Sequence, residues 1–203
     1  MIKNLSLDID DYKKNKNLYR IENIVWNAKT KKFEQNNQTI EKEIIKITDL
    51  SNDKKKKEDV LKLITDWKKQ ITNIKVKSYL SIENSIIQYQ AMAEEILNCI
   101  NKNTKNSYLC ITKTQDNNYH SISAFDLKGI SEKNIYIIAT LCYPESQSTQ
   151  ETRKHGTFGA CGHNNKIILI KYAFEEANID YIRTYPMNQN LQKPLEKLGF
   201  KRF

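Results

Sequence analysis

Residues 135–143 have the sequence Ile-Tyr-Ile-Ile-Ala-Thr-Leu-Cys-Tyr, and Pro144 follows them. The stretch carries no charge and is dominated by Ile, Tyr, Leu, Thr and Cys. A continuous apolar run that ends at a proline is typical of a strand buried on both faces of a sheet. The sequence therefore predicts a central β-strand here, around which the rest of the chain can be placed.

A glycine-rich loop and a helix follow this predicted strand. Three of the chain's five glycines fall within seven positions, and they are Gly156, Gly159 and Gly162. With Asn164 or Asn165 as N-cap, residues 166–177 show helical spacing of apolar side chains. Glycines let backbone amides approach a ligand, and a helix N-terminus has unpaired N–H groups, so phosphate groups bind at such places. The alternative is a mobile surface loop without a ligand.

The C-terminal stretch combines a predicted short strand, residues 181–185, with a closing motif. The motif is Leu-Glu-Lys-Leu-Gly-Phe, which ends at Phe200, and Asn188 precedes that phenylalanine by twelve positions. This pattern resembles the GNAT acetyltransferase superfamily, in which an Asn is followed by a short helix that ends in an aliphatic residue, Gly and Phe. Leu198 and Gly199 match in identity and Asn188 in spacing. The resemblance extends, at lower quality, over roughly residues 44–203.

Other local patterns agree with the fold that the resemblance implies. Apolar residues recur at helical spacing through residues 58–73 and 81–100, and residues 108–114 and 119–125 are predicted to form an antiparallel hairpin. The resulting order of elements predicts an α+β fold of mixed layers, with a GNAT-like central mixed sheet and flanking helices over residues 44–203. Residues 1–43 are an N-terminal extension with a possible hairpin around 27–30, and residues 1–17 are expected to be frayed or loosely docked.

The resemblance implies acetyl-coenzyme A as co-substrate. In the family, the pantetheine arm lies against the backbone of the central strand, and the pyrophosphate binds the loop and helix N-terminus that come after it. The cofactor residues implied on the strand are Thr140, Leu141, Cys142 and Tyr143. Those implied on the loop and in the closing motif are Arg153, Gly156, Gly159, Gly162, His163, Asn164 and Asn188.

The loop departs from the family pattern, which is Arg or Gln, two residues, Gly, one residue, and then Gly or Ala. The position expected from Pro144 holds residues 147–152, which contain no glycine. Counting back from the helix gives residues 159–164 and keeps only Gly162, while a third alignment, residues 153–158, fails at its last position. The sequence therefore predicts an insertion between strand and helix and leaves the alignment of the loop open.

Acetyl transfer from a thioester to an amine needs a base, donors for the developing oxyanion and often an acid for the thiolate. In the family that acid is commonly a Tyr five residues before the Phe of the closing motif, where this chain has Leu195. Glu145 is the candidate base, although an exposed loop carboxylate is an equal alternative. Tyr185 shares a predicted strand face with Tyr181 and Arg183, so we expect it to point toward a cleft or solvent.

Two functions are consistent with the missing Tyr. The chain is either an N-acetyltransferase that uses another acid or none, acting on an amine of a small molecule or a protein, or a catalytically decayed GNAT-like binding or effector protein. A third alternative, a basic nucleic-acid-binding protein, rests on 33 basic against 24 acidic residues, a net charge of +9. Sparse aromatics on the basic half argue against it. The four lysines at 54–57 are interpreted as a solvated helix entrance rather than a phosphate patch.

Cysteine use and hydropathy bound the class of protein. The four cysteines have no paired spacing, which is typical of reduced thiols in the cytosol, and they form no metal-binding pattern with the three histidines. No run approaches the ~20 apolar residues of a membrane span. The sequence thus predicts a cytoplasmic protein without a metal, although a protein exported as an effector would have the same features.

Overall fold

The computed structural model describes residues 4–76, 82–128, 133–186 and 189–202. Its strands are β1 (Leu5–Asp8), β2 (Ile24–Asn27), β3 (Lys32–Gln35), β4 (Ile40–Lys46), β5 (Ser107–Thr114), β6 (Tyr119–Lys128), β7 (Asn134–Cys142), β8 (Tyr181–Thr184) and β9 (Lys201–Arg202). Its helices are α1 (Ile9–Lys14), α2 (Ile47–Asn52), α3 (Lys54–Gln70), α4 (Ile82–Lys102), α5 (Cys161–Lys171) and α6 (Gln189–Lys197). A π-helical turn, Tyr172–Glu176, extends α5.

The main sheet has seven strands in the order β4-β5-β6-β7-β8-β1-β9. Every neighbouring pair is antiparallel except β7 and β8, which are parallel. The predicted central strand is β7, with three strands on each side, and the predicted α+β class with a mixed sheet is confirmed. The predicted helices appear as α3 and α4, and the predicted hairpins as the pairs β5–β6 and β2–β3.

Helices cover the sheet on both faces and form two cores. On the face covered by α5, the core joins β7 to α5 and to the C-terminal residues Leu195, Leu198 and Phe200. On the face covered by α3 and α4, it joins the other side of the sheet to the apolar stripes of those helices. Side chains of β7 reach both cores, since Ile135 belongs to the first and Leu141 to the second. This explains why its sequence is apolar throughout.

Residues 5–8 belong to the main sheet, so the expectation that residues 1–17 are frayed or loosely docked is wrong for the part of this segment that the structure describes. Strand β1 lies between β8 and β9, where Leu5 and Leu7 are completely buried and alternate with Ser6 and Asp8. The run is too short for its two-residue period to stand out from the charged residues that follow it. The boundary expected between residues 43 and 44 falls inside β4, and a strand of two residues, β9, follows α6.

Candidate functional site

The central strand has an open edge beyond its midpoint. Strand β7 pairs with β6 as far as Cys142, but with β8 only over residues 134–137. The register with β6 shifts between Ala124 and Phe125, so that Ile138 is an extra residue, a β-bulge. Within the described residues, no strand pairs with residues 138–142 on the β8 side. Such an edge offers backbone donors and acceptors to an extended ligand.

Three of the four residues predicted to bind the pantetheine arm lie on this edge, and the fourth, Tyr143, follows it. Thr140 is half-buried and shares a 2.8 Å hydrogen bond with Ser123. Leu141 is buried among the α3 and α4 side chains. The carbonyl of Cys142 accepts a 2.5 Å hydrogen bond from the hydroxyl of Tyr89 on α4. Burial raises the pKa of Tyr89, which keeps this donor protonated. This hydrogen bond from Tyr89 occupies the backbone acceptor at one end of the otherwise unpaired edge.

Tyr143 directly follows the last residue of β7 and still bonds to the chain of β6. Its backbone N–H donates to the carbonyl of His120 at 3.0 Å. Its ring packs edge-on against Trp67 of α3, with 6.0 Å between the ring centroids. Tyr143 therefore anchors the end of β7 to β6 and α3.

Helix α5 starts earlier than the sequence indicated. Its N-cap is Ala160, in the left-handed region at φ 53°, and neither Asn164 nor Asn165 is the N-cap. The first helical hydrogen bond joins Asn164 N–H to Ala160 C=O at 2.8 Å, and the side chain of the N-cap residue makes no capping hydrogen bond. A Cβ on Gly162 would lie 3.2 Å from Cys142 Sγ. Glycine thus lets the first turn of α5 approach the end of β7 more closely than an alanine would.

The two asparagines in the first turns of α5 bind neighbouring elements. The side chain of Asn164 accepts from Glu22 N–H at 2.8 Å and donates to Glu22 C=O at 2.7 Å. Asn165 donates to Ser121 Oγ at 2.8 Å and accepts from Ser123. The sequence predicted one of these residues as the N-cap because both are polar and lie near the start of the helix. Each side chain instead hydrogen-bonds to a neighbouring segment of the chain. Both hydrogen-bonding atoms of the predicted cofactor residue Asn164 are occupied.

The β2–β3 hairpin packs on the glycine-rich loop. Trp26 N–H donates to Thr157 C=O at 2.8 Å, Gly156 N–H donates to Trp26 C=O at 2.8 Å, and Gly159 N–H donates to Ile24 C=O at 2.9 Å. A Cβ on Gly159 would lie only 2.7 Å from a ring carbon of Phe33. The amides of two of the predicted phosphate-binding glycines are therefore bonded to the hairpin, and Gly159 is required there by packing.

Arg153 fastens the insertion before α5. Its guanidinium donates to Ser148 C=O at 2.6 Å and stacks on Trp26 and Phe33, at 5.2 and 4.8 Å from their ring centroids. Burial lowers the pKa of Arg153. The insertion is also tied to the segment after α3, because Thr149 N–H donates to Lys75 C=O at 2.9 Å. Arg153 thus orders the loop from within.

The two candidate catalytic residues lie at opposite ends of the open edge. Tyr185 follows the last paired residue of β8, Thr184, which is opposite Ile137, and it is 49% exposed. Glu145 lies beyond the other end of β7 and forms a 2.7 Å ion pair with Lys154. At 3.3 Å per residue, about 16 Å of strand lies between Ile137, which is opposite the end of β8, and Cys142, the last residue of β7. The structure therefore does not bring Glu145 and Tyr185 together.

The remaining predicted positions lie in the closing motif and at the start of α5. Leu195, at the position of the family Tyr, is 4% exposed and packs in the α5-face core. His163 is half-buried, and burial lowers its pKa, with Glu22 acting in the opposite direction. Asn188 lies outside the described residues. In the described residues, the closing motif therefore contributes core packing through Leu195, Leu198 and Phe200.

Sequence reasoning missed a buried polar network beneath the first turns of α5. Thr112, Ser121, Ser123, Asn165 and His120 are completely buried there. Thr112 and Ser121 hydroxyls lie 2.5 Å apart, and His120 Nδ1 is 3.5 Å from Thr112 Oγ1. Burial lowers the pKa of His120 to about 4, so the ring is neutral at pH 7. The alternation of Ser121 and Ser123 was the only sign of this network in the local sequence. Nothing in the sequence indicated that Asn165 lies opposite them.

No protein-family model matches the chain, and a search of curated proteins finds no match either. The family resemblance of the closing motif therefore stays a prediction. In the ranges that the structure describes, no helix is long and apolar enough to cross a membrane, and no group of three or more His, Cys, Asp or Glu residues could hold a metal ion.

Proposed function

We propose that this protein is an acyl-coenzyme A-dependent N-acyltransferase that transfers an acetyl group to an amine. The observation that carries the proposal is the open edge of β7 over residues 138–142, which runs from the point where β7 and β8 separate to the start of α5. The pantetheine arm of coenzyme A contains amides that can pair with such an edge. Its phosphates would then lie at the helix N-terminus, where partial positive charge favours them.

This orientation puts the thioester near Tyr185 and the phosphates near Gly162. The acceptor amine attacks the thioester carbonyl, the C–S bond breaks, and the thiolate of coenzyme A leaves. Tyr185 is the candidate proton donor to that thiolate, because Leu195 is buried and has no proton to give. Glu145 is at the phosphate end and is paired with Lys154, so the amine proton passes to a base nearer the thioester or to water.

A binding protein without turnover is the second candidate, and two observations favour it. Leu195 replaces the usual acid and packs in the core, and the candidate base Glu145 is held in an ion pair. Either feature alone is compatible with catalysis, since a thiolate can leave unassisted. The two candidates differ only in whether acyl transfer follows binding.

Titration with acetyl-coenzyme A, followed by thermal shift and calorimetry, tests the proposal. A ligand that binds only the folded state, at 100 times its dissociation constant, adds roughly 2.7 kcal/mol of stability. Adenosine 3′,5′-bisphosphate is the control, since it has phosphates but no pantetheine arm to pair with β7. Absence of any shift at millimolar acetyl-coenzyme A would reject the proposal. Binding without thiol release in the presence of an amine panel would leave the binding protein.

A further inference from the structure

Lys166 on α5 lies beside the end of the open edge. Its Nζ is 3.9 Å from the point that a Cβ on Gly162 would occupy, and Cys142 Sγ is 3.2 Å from the same point. The ammonium therefore lies close to the first turn of its own helix and to the side chain of the last residue of β7. The lysine is half-buried.

Across the described parts of the chain, no carboxylate pairs with Lys166. Lys42, Lys68 and Lys113, whose side chains are 31%, 31% and 26% exposed, each have a glutamate within ion-pair distance. Burial lowers the pKa of Lys166, because the charged form loses hydration without gaining an anion. An ammonium in this setting gains more from an incoming anion than a fully hydrated one does.

The groups that could otherwise bind an anion here are partly occupied. The amides of Gly156 and Gly159 donate to the β2–β3 hairpin, and the guanidinium of Arg153 donates to loop carbonyls. Among the described residues at the end of β7, this leaves the amides of the first turn of α5, the ring of His163 and the ammonium of Lys166. The ammonium of Lys166, rather than the loop amides that the family pattern would use, therefore provides positive charge at the end of β7.

We propose that Lys166 binds the diphosphate of the acyl carrier in the β7 gap, the space beside the open edge at residues 138–142, and makes the site selective for carriers that have this diphosphate. The inference rests on the proposed function, since it assumes that the carrier lies along residues 138–142. It adds a residue that neither the family pattern nor the glycine-rich loop indicates. The interaction is a charge-assisted contact and involves no covalent step.

The test compares wild type, Lys166→Met and Lys166→Arg with coenzyme A and with pantetheine, which lacks the diphosphate. Lys166→Met should weaken coenzyme A binding about tenfold or more, the scale of one charge-assisted contact, and leave pantetheine binding unchanged. Lys166→Arg should retain most of the affinity because it keeps the charge. Lys171→Met is the matched control, because it removes the same charge from the last turn of the same helix.

Four outcomes separate the possibilities. Loss of coenzyme A affinity confined to Lys166→Met, with a weaker dependence on salt than in wild type, supports the inference. Equal affinities of Lys166→Met and wild type overturn it while leaving the proposed function intact. Parallel loss for coenzyme A and pantetheine also overturns it, since the lysine would then only shape the gap. Failure of wild type to bind coenzyme A rejects the proposed function and this inference with it.

Discussion

The first half of β7, residues 134–137, lies between two strands, whereas the second half, residues 138–142, has a strand on one side only among the described residues. Both halves are uncharged and mostly apolar, with Asn134 in the first half and Thr140 in the second as polar residues, and both pair with β6. They differ on the side that faces β8, because β8 is four residues long and the bulge at Ile138 turns the strand at that point. Strand-forming residues alone therefore do not decide whether an edge is closed or available to a ligand.

Truncation in the closed half should have the largest effect on stability. Ile135 is completely buried in the α5-face core, so Ile135→Ala should lower the free energy of unfolding by about 2–5 kcal/mol. Thr140→Ala in the open half removes one hydrogen bond, to Ser123, and should cost about 1 kcal/mol. Urea unfolding measures both values, and equal losses would mean that the two halves are equally part of the core.

The buried polar network beneath the first turns of α5, which includes His120, predicts that the stability of the protein depends on pH. The pKa of His120 is about 4 when folded, against an ordinary value of 6.5, so the unfolded chain takes up this proton first as pH falls. Stability from this group is complete above pH 6.5 and is lost between 6.5 and about 4. The loss should be about 3 kcal/mol.

His120→Gln should flatten this pH dependence, because an amide does not titrate. His155→Gln is the control, since that ring is exposed. Unfolding curves recorded across the window would show the difference in slope. A slope that His120→Gln leaves unchanged would assign the acid sensitivity to other groups.

Tyr185, which lies next to the point where β7 and β8 separate, should affect the rate of acyl transfer. Tyr185→Phe should lower acyl transfer at least tenfold, about 1.4 kcal/mol of barrier, with cofactor affinity nearly unchanged because the ring remains. Tyr181→Phe is the matched control, since it lies on the same strand face but farther from the junction, at the start of β8. Full rate in Tyr185→Phe with a verified acceptor would make Tyr185 a strand residue only.

Binding of acetyl-coenzyme A should be sensitive to a negative charge at Gly162, which lies beside the last residue of β7. Gly162→Asp places a carboxylate beside the start of α5 and should weaken acetyl-coenzyme A binding by about tenfold. Gly156→Asp should have a smaller effect on binding, because the amide of Gly156 is bonded to Trp26, although its φ of 78° means that any side chain there strains the loop. Gly162→Ala separates the steric effect from the charge effect. If Gly162→Asp binds as wild type does, the phosphates bind elsewhere.

The smallest effect is expected far from β7. The lysines at 54–57 open α3, near the edge strand β4, where Asp53 caps the helix and Lys56 pairs with Glu43. Replacing all four by Ser should leave cofactor affinity within about threefold, the scale of screened surface charge. Calorimetry at two salt concentrations would check this. A large, steeply salt-dependent loss would favour a phosphate or nucleic-acid role for this region.

Local patterns were enough for much of the fold. The apolar run of β7, the helical spacing in α3 and α4, and the β5–β6 hairpin were predictable because each element buries a face whose period is visible in its own residues. Strand β1 was missed because two leucines in four residues carry too little signal. The candidate site stays a prediction: the order of elements indicated a loop and a helix after the central strand, but not which backbone amides of that loop are already bonded.

By itself, the sequence determined the central strand, the helices α3 and α4, the β5–β6 hairpin and an α+β fold, because hydrophobic period depends on side chains that are close along the chain. Only the tertiary structure decided that β8 pairs with just the first half of β7, that the β2–β3 hairpin binds the amides of Gly156 and Gly159, and that the ammonium of Lys166 lies beside Gly162 and Cys142. Backbone N–H groups are the same at nearly every residue, so the sequence does not show which of them a distant segment will bind. Burial of a charge likewise depends on neighbours brought together by folding, and not on the residue that carries it.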